Sequence, residues 1–153
     1  MSKLIEILWV EDETDTRLVE RKTRIEGSGK YDLDIARNAT EGEKFAKSKM
    51  YDLIIIDIRI PPGEGEKWKL YHFDLKNKDL KDRLGILLIK FLLLEKVIKN
   101  DRIGVFTIER WSEIEILLEG SEIRKAQHLH KVYADIPEIF EDFIDKIYHD
   151  SNK

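Results

Sequence analysis

Glu11, Asp12, Asp57, Thr107 and Lys131 are the residues of this chain that could do chemistry together. Each closes a stretch that reads as a β-strand. KLIEILWV runs into Glu11 and Asp12, DLIII into Asp57, RIGVF into Thr107 and AQHLH into Lys131. An aspartate at the end of a run such as LIII is costly to bury unless its charge is used. Three carboxylates brought to one rim repel one another and hold their protons more tightly. A divalent cation reverses that, and Mg2+ is hard, takes oxygen ligands, keeps several waters and often pairs with phosphate. With metal bound, Asp57 is a usable nucleophile toward phosphorus. Thr107 could hydrogen-bond a phosphoryl oxygen, and Lys131 could pair with another as a point charge. Phosphoryl transfer to a carboxylate needs positioning and charge neutralisation, and this set can supply both. Taken singly, the residues have blander readings. Asp57 could cap a strand end, Glu11 or Asp12 could cap a helix, Thr107 could be an ordinary strand residue, and Lys131 a surface charge.

The elements that must position them alternate along the chain. KLIEILWV (3–10), YDLDIA (31–36), DLIIIDI (52–58), RIGVFTI (102–108) and AQHLHKV (126–132) read as strands. The third is a continuous apolar run, the mark of a strand covered on both faces. Between them, residues 14–25, 39–50, 84–99, 112–120 and 135–149 show helical spacing. Thr40 with Glu43 reads as a capping box, Gly120 as a helix stop, and Asp135 as the N-cap of the last helix, with Pro137 near its first turn. Five strands alternating with five helices imply an α/β fold, a parallel sheet with helices on both faces. Ligands of such sheets bind at the carboxyl ends of the strands, which is where the five residues fall.

Composition narrows the function classes. The chain has 153 residues, 42% hydrophobic and 38% charged, and a net charge of −4. That is one globular domain's worth, with no repeat, linker or low-complexity segment, so residues 1–153 are expected to form a single domain. Basic residues are interleaved with acids, which argues against a nucleic-acid footprint. There are no cysteines, which excludes a disulfide framework and thiolate metal sites. The N-terminal MSKLIEILWVEDE turns acidic too soon for a signal peptide, and no apolar run reaches membrane-spanning length, so no membrane role and a cytoplasmic location are expected. His128 and His130 share one face of a strand, but a third zinc ligand is not evident. Trp9, Trp68 and Trp111 read as packing residues, and His72 and His149 as solvent-facing.

The set resembles the receiver domain of two-component response regulators. The matching pieces are VEDE (10–13), DLIIIDIRIP (52–61), VFT (105–107) and HLHK (128–131), in order over nearly the whole chain. The resemblance implies a (βα)5 doubly wound sheet of flavodoxin-like order 2-1-3-4-5. It implies a phosphoprotein in which Asp57 takes a phosphoryl group from a histidine kinase or phosphotransfer protein. Glu11, Asp12, Asp57 and the backbone carbonyl of Arg59 would hold Mg2+, and Thr107 and Lys131 would read the phosphoryl group. His128 stands at the place of the family's aromatic switch residue. With Thr107 it would alter the face of the fourth helix, fifth strand and fifth helix, and so the binding of an output partner. The chain would catalyse only its own phosphoryl transfer and dephosphorylation.

Several features depart from that pattern. Asp57 and Thr107 are further apart than usual, which implies an insertion between the third strand and third helix. The family's loop glycine could be Gly65 or Gly85, and the insert would span about residues 66–84. It carries Trp68, Leu70, Tyr71, Phe73 and Leu75, too apolar for a free loop. The next helix, GILLIKFLLLEKVIKN, is apolar nearly all round, so its outer face should be covered too. The cover is the insert or, failing that, a homodimer partner. Ile108 follows Thr107 where a small residue is usual, and could narrow access to Asp57. Val132 replaces a usual proline. Arg59 could contact the phosphoryl group or shield it from water. A pseudo-receiver, an interaction module without phosphoryl traffic, is the alternative reading. A phosphatase with an aspartyl-phosphate would need a second carboxylate just after the nucleophile, and position 59 is Arg. A flavin site would need a phosphate-cradling loop where EDETD is acidic.

Overall fold

A computed structural model describes residues 3–13, 16–74, 76 and 78–153. Five strands form one parallel sheet: β1 (Ile5–Val10), β2 (Tyr31–Ala36), β3 (Leu53–Ile56), β4 (Ile103–Thr107) and β5 (His128–His130), in the order β2-β1-β3-β4-β5. The expected doubly wound, flavodoxin-like order is therefore observed. Helices pack on both faces. α1 (Thr16–Gly27) and α7 (Pro137–Ser151) cover one, through Leu18, Ile25, Phe140, Phe143, Ile144 and Ile147 against Ile7, Trp9, Ile55 and Phe106. α2 (Ala39–Ser48), α5 (Leu84–Leu94) and α6 (Trp111–Ile114) cover the other, against Leu8, Val10, Ile54, Ile56 and Val105. All four residues of β3 are buried because alternate side chains feed the two cores.

The register fixes the rim. Val10 pairs with both Ala36 and Ile56, Ile56 with Val105, and Thr107 with His130. Beyond these pairs the backbone keeps its hydrogen bonds: Asp57 N donates to Val10 O (3.0 Å) and Glu11 N to Ala36 O (2.8 Å). Glu11 and Asp57 thus leave neighbouring strands at one level.

The residues read as an insertion form two short helices, α3 (Glu66–Phe73) and α4 (Lys78–Lys81); Leu75 lies outside the described residues. α3 supplies the cover that the apolar α5 demands. Trp68 is buried, with its ring 5.7 Å from that of Phe91, and Tyr71 lies 5.6 Å from the same ring. The anchor is at the N-terminus of α2. Thr40 Oγ1 donates to Pro62 O (2.6 Å) and accepts from Gly65 N (2.9 Å), and Glu43 accepts from Trp68 Nε1 (3.1 Å) and Lys67 Nζ (2.6 Å).

Those contacts correct the expected capping box. Thr40 and Glu43 face the insertion, and Asn38 caps α2 instead, its side chain accepting from Glu41 N at 2.8 Å. Among the described residues there are seven α-helical segments, not five. Residues 14 and 15 of the first expected helix lie outside the described residues. The helix expected over 84–99 stops at Leu94. Lys96 takes a left-handed φ of 57°, and Lys96 N and Val97 N bond back to Leu93 O and Leu92 O, a Schellman ending with lysine in place of glycine. The helix expected over 112–120 is a single turn, α6, followed by tight turns. There Leu118 N is shared between Ile114 O and Glu115 O, and Ser121 bonds back to Leu118. Ile114 on α6 and Leu118 and Ile123 in the turns beyond it are all buried. The strand expected over 126–132 is only His128–His130, because His130 Nδ1 accepts from Val132 N (3.1 Å) and opens a 3-10 turn over Lys131–Asp135. That turn takes up Asp135, so Ile136 stands at the N-cap position of α7 and Asp135 does not cap it. His72 is half-buried, not solvent-facing, with Nδ1 3.1 Å from Lys81 O.

Replacing Trp68 with Ala should cost about 3–5 kcal/mol, the usual range for a buried large aromatic. Chemical denaturation would measure this. A loss below about 1 kcal/mol would mean that α3 does not cover α5 in solution.

Candidate functional site

The rim gathers the carboxylates. Glu11 and Asp57 are almost fully buried, at 0% and 4% exposure, while Asp12 faces solvent. One ligand atom from each of the three lies within 4.8 Å of the others. Lys131, just past the end of β5, reaches back across the rim. Its Nζ donates to Glu11 Oε1 (2.7 Å) and Asp57 Oδ2 (2.9 Å) and lies 3.6 Å from Glu13 Oε2. Each buried carboxylate therefore has one oxygen on Lys131. The other oxygens, Glu11 Oε2 and Asp57 Oδ1, are buried without a partner.

The electrostatics follow from that crowding. Burial, then the charge of Asp57, pushes the Glu11 carboxyl up to about 7 against the pull of Lys131. The same two causes raise Asp12. Burial disfavours the charge on Lys131, but Asp57 and Glu11 outweigh it and hold its pKa above the usual lysine value. Two unpartnered buried carboxylate oxygens beside a third carboxylate are a hard-oxygen donor set, which fits a small divalent cation.

The other expected residues lie around this centre. Thr107 is buried as the last residue of β4, and its hydroxyl accepts from Glu109 N at 3.4 Å. Gly85 N donates to Ile58 O (2.9 Å), and a Cβ on Gly85 would stand 2.1 Å from Asp57 O, so α5 begins hard against the loop that follows Asp57. No side chain fits there. Ile108 is 60% exposed rather than packed inward. His128 is half-buried beside Trp111 (5.9 Å between centroids), and its Nε2–H donates to Glu109 O at 2.8 Å. Burial lowers the His128 pKa.

Sequence reasoning missed Glu109. It is buried, and its Oε1 accepts from Arg59 Nε (3.3 Å), Arg59 Nη2 (3.0 Å) and Arg83 Nε (2.8 Å). A signal was present: Glu109 stands two residues after Thr107, as Arg59 stands two after Asp57, with opposite charge.

No protein-family model and no curated protein matches the chain. Solved structures do. A CheY-like receiver domain protein from Methanospirillum hungatei JF-1 has a TM-score of 0.62 and 21% identity over 97% of this chain and 99% of that one. The chemotaxis protein CheY4 of Vibrio cholerae gives 0.67 and 16% over 95% and 99%. The signal receiver domain of an HD domain-containing protein from Pseudomonas fluorescens Pf-5 gives 0.66 and 16% over 98% of each. The chain has the response regulator receiver fold. On this receiver fold the acidic rim, Lys131 and Thr107 lie at the carboxyl edge of the sheet, and α3 and α4 are set between β3 and α5. Among the described residues no helix is long and apolar enough to cross a membrane.

Replacing Asp57 with Asn removes one of the crowded charges and keeps an acceptor for Lys131. Without divalent cation, the variant should be no less stable than the parent, because the charge that raises Glu11 and Asp12 is gone while Lys131 keeps its acceptor. It should also gain less stability from added Mg2+. Thermal unfolding in chelator and in Mg2+ checks both, and a less stable variant in chelator would contradict the repulsion described here.

Proposed function

We propose that this chain is a receiver module that takes a phosphoryl group on Asp57 from a phosphohistidine of a histidine kinase or phosphotransfer protein, in a Mg2+-dependent reaction. The observation that carries it is the buried Asp57 carboxylate. One oxygen is held by Lys131, the other is unpartnered, and the carboxylates of Glu11 and Asp12 are within reach. Glu11, Asp12, Asp57 and the Arg59 backbone carbonyl would hold the ion. Bound Mg2+ would neutralise the carboxylates and the incoming phosphoryl oxygens.

The chain's own residues supply the rest. The strand register and the contact of Gly85 hold Asp57 for in-line attack on phosphorus. As the new O–P bond forms, the N–P bond of the donor breaks, and its electron pair stays on the imidazole ring. Lys131 moves from carboxylate to phosphoryl oxygen as charge leaves Asp57, and the Thr107 hydroxyl donates to another. The chain catalyses only this transfer and the later hydrolysis, in which water attacks phosphorus, the Asp57 O–P bond breaks, and inorganic phosphate leaves the free carboxylate behind. Thr107, Glu109 and His128 then connect the site to the face of α6, β5 and α7, which we assign to an output protein. A cytoplasmic location follows from donors charged by ATP.

Incubation with Mg2+ and acetyl phosphate, read by intact mass, tests the reading. One phosphoryl adduct is expected, absent in Asp57→Asn and absent in chelator. If the native chain gains no mass and shows no response to beryllium fluoride, it is a pseudo-receiver, and the phosphoryl reading fails.

A further inference from the structure

Glu109 is one negative charge gripped by two positive ones. It is 3% exposed, and Oε1 takes all three guanidinium contacts while Oε2 is buried without a partner. A buried carboxylate stripped of every cation is strongly destabilising, so one arginine has to stay. The second is surplus.

The two arginines differ in how firmly they are held. The Arg83 side chain is 19% exposed, makes the shorter contact at 2.8 Å, and is anchored a second time through Nη1 to Asp79 O at 3.1 Å. The Arg59 side chain is 47% exposed, and its contacts are 3.0 and 3.3 Å. Arg59 is also the nearer in sequence to Asp57, two residues on. A phosphoryl group there brings close to two negative charges, and a guanidinium fork suits its oxygens.

We propose that Arg83, contributed by the inserted segment, is a positioning residue: it keeps Glu109 compensated so that Arg59 is free to turn from Glu109 to the phosphoryl group on Asp57. This rests on the phosphoryl reading above. The inserted segment is then part of the site's charge balance as well as a cover for α5. Loss of Arg59 from Glu109 tightens the remaining Glu109–Arg83 pair, so the junction of α4 and α5 registers the state of Asp57.

The test uses the full chain with Mg2+ and beryllium fluoride, a phosphoryl mimic, and measures the half-saturating concentration. Arg59→Gln should weaken binding about fivefold, as expected for one partly exposed ion pair. Arg83→Gln should weaken it by a similar factor, because Arg59 must then stay on Glu109, and Arg83→Lys should recover most of the loss. The double variant should bind no more weakly than Arg59→Gln alone, since the two act through one group. Glu109→Gln removes the carboxylate that holds both arginines, so Arg59 is released whatever Arg83 does, and this variant should bind more tightly than the native chain. Native-like binding by Arg83→Gln, or multiplied losses in the double variant, would overturn the proposal while leaving the phosphoryl reading intact. If Arg83→Gln does not fold, Glu109→Gln decides: weaker binding than native overturns the proposal. If the native chain ignores beryllium fluoride, both fall together.

Discussion

The structure depends on a repulsion held in check. Two carboxylates with almost no exposure, Glu11 and Asp57, leave adjacent strands side by side, and one ammonium, Lys131, spans them from the far edge of the sheet. The cation has to cross β4 to do so. The order β2-β1-β3-β4-β5 brings residues 120 positions apart into hydrogen bonding, and a change in register would break the pair. The shortage of positive charge at the rim leaves buried oxygens with nothing to bind. Burying such a centre costs stability, the usual relation between sites and folds.

The inserted segment solves a packing problem and creates a link. α5 carries apolar residues on faces that a surface helix leaves polar, and α3 lays Trp68 and Tyr71 over Phe91. The same segment returns to the rim through Arg83, and Gly85 follows it in the first turn of α5. One sits on Glu109 and the other against the backbone of Asp57. Cover and site therefore share a short stretch of chain.

Much of this was legible in the sequence. The period-two and continuous apolar runs located all five strands, and the charges at their ends located the rim. The apolar circumference of 84–94 required a cover, which the aromatic residues of 66–73 provide. What escaped was set by tertiary contacts. Thr40 and Glu43 have the spacing of a cap but serve the insertion, because Asn38 already caps α2. The helix expected over 112–120 is one turn followed by tight turns, whose bonds at Leu118, Glu119 and Ser121 the apolar spacing did not show. Glu109 looked like one acid among many until two arginines from separate segments were seen to converge on it.

The flank formed by α6 and β5 is the thinnest part of the sheet's margin. A three-residue strand and a one-turn helix carry few main-chain ladder bonds, and a ring nitrogen of His128 bonding to a loop carbonyl does part of the fastening. Amide protons there should exchange with solvent through small openings well before those of β1 and β3. The opposite flank is fastened by a longer ladder, with six-residue β1 and β2 in full register.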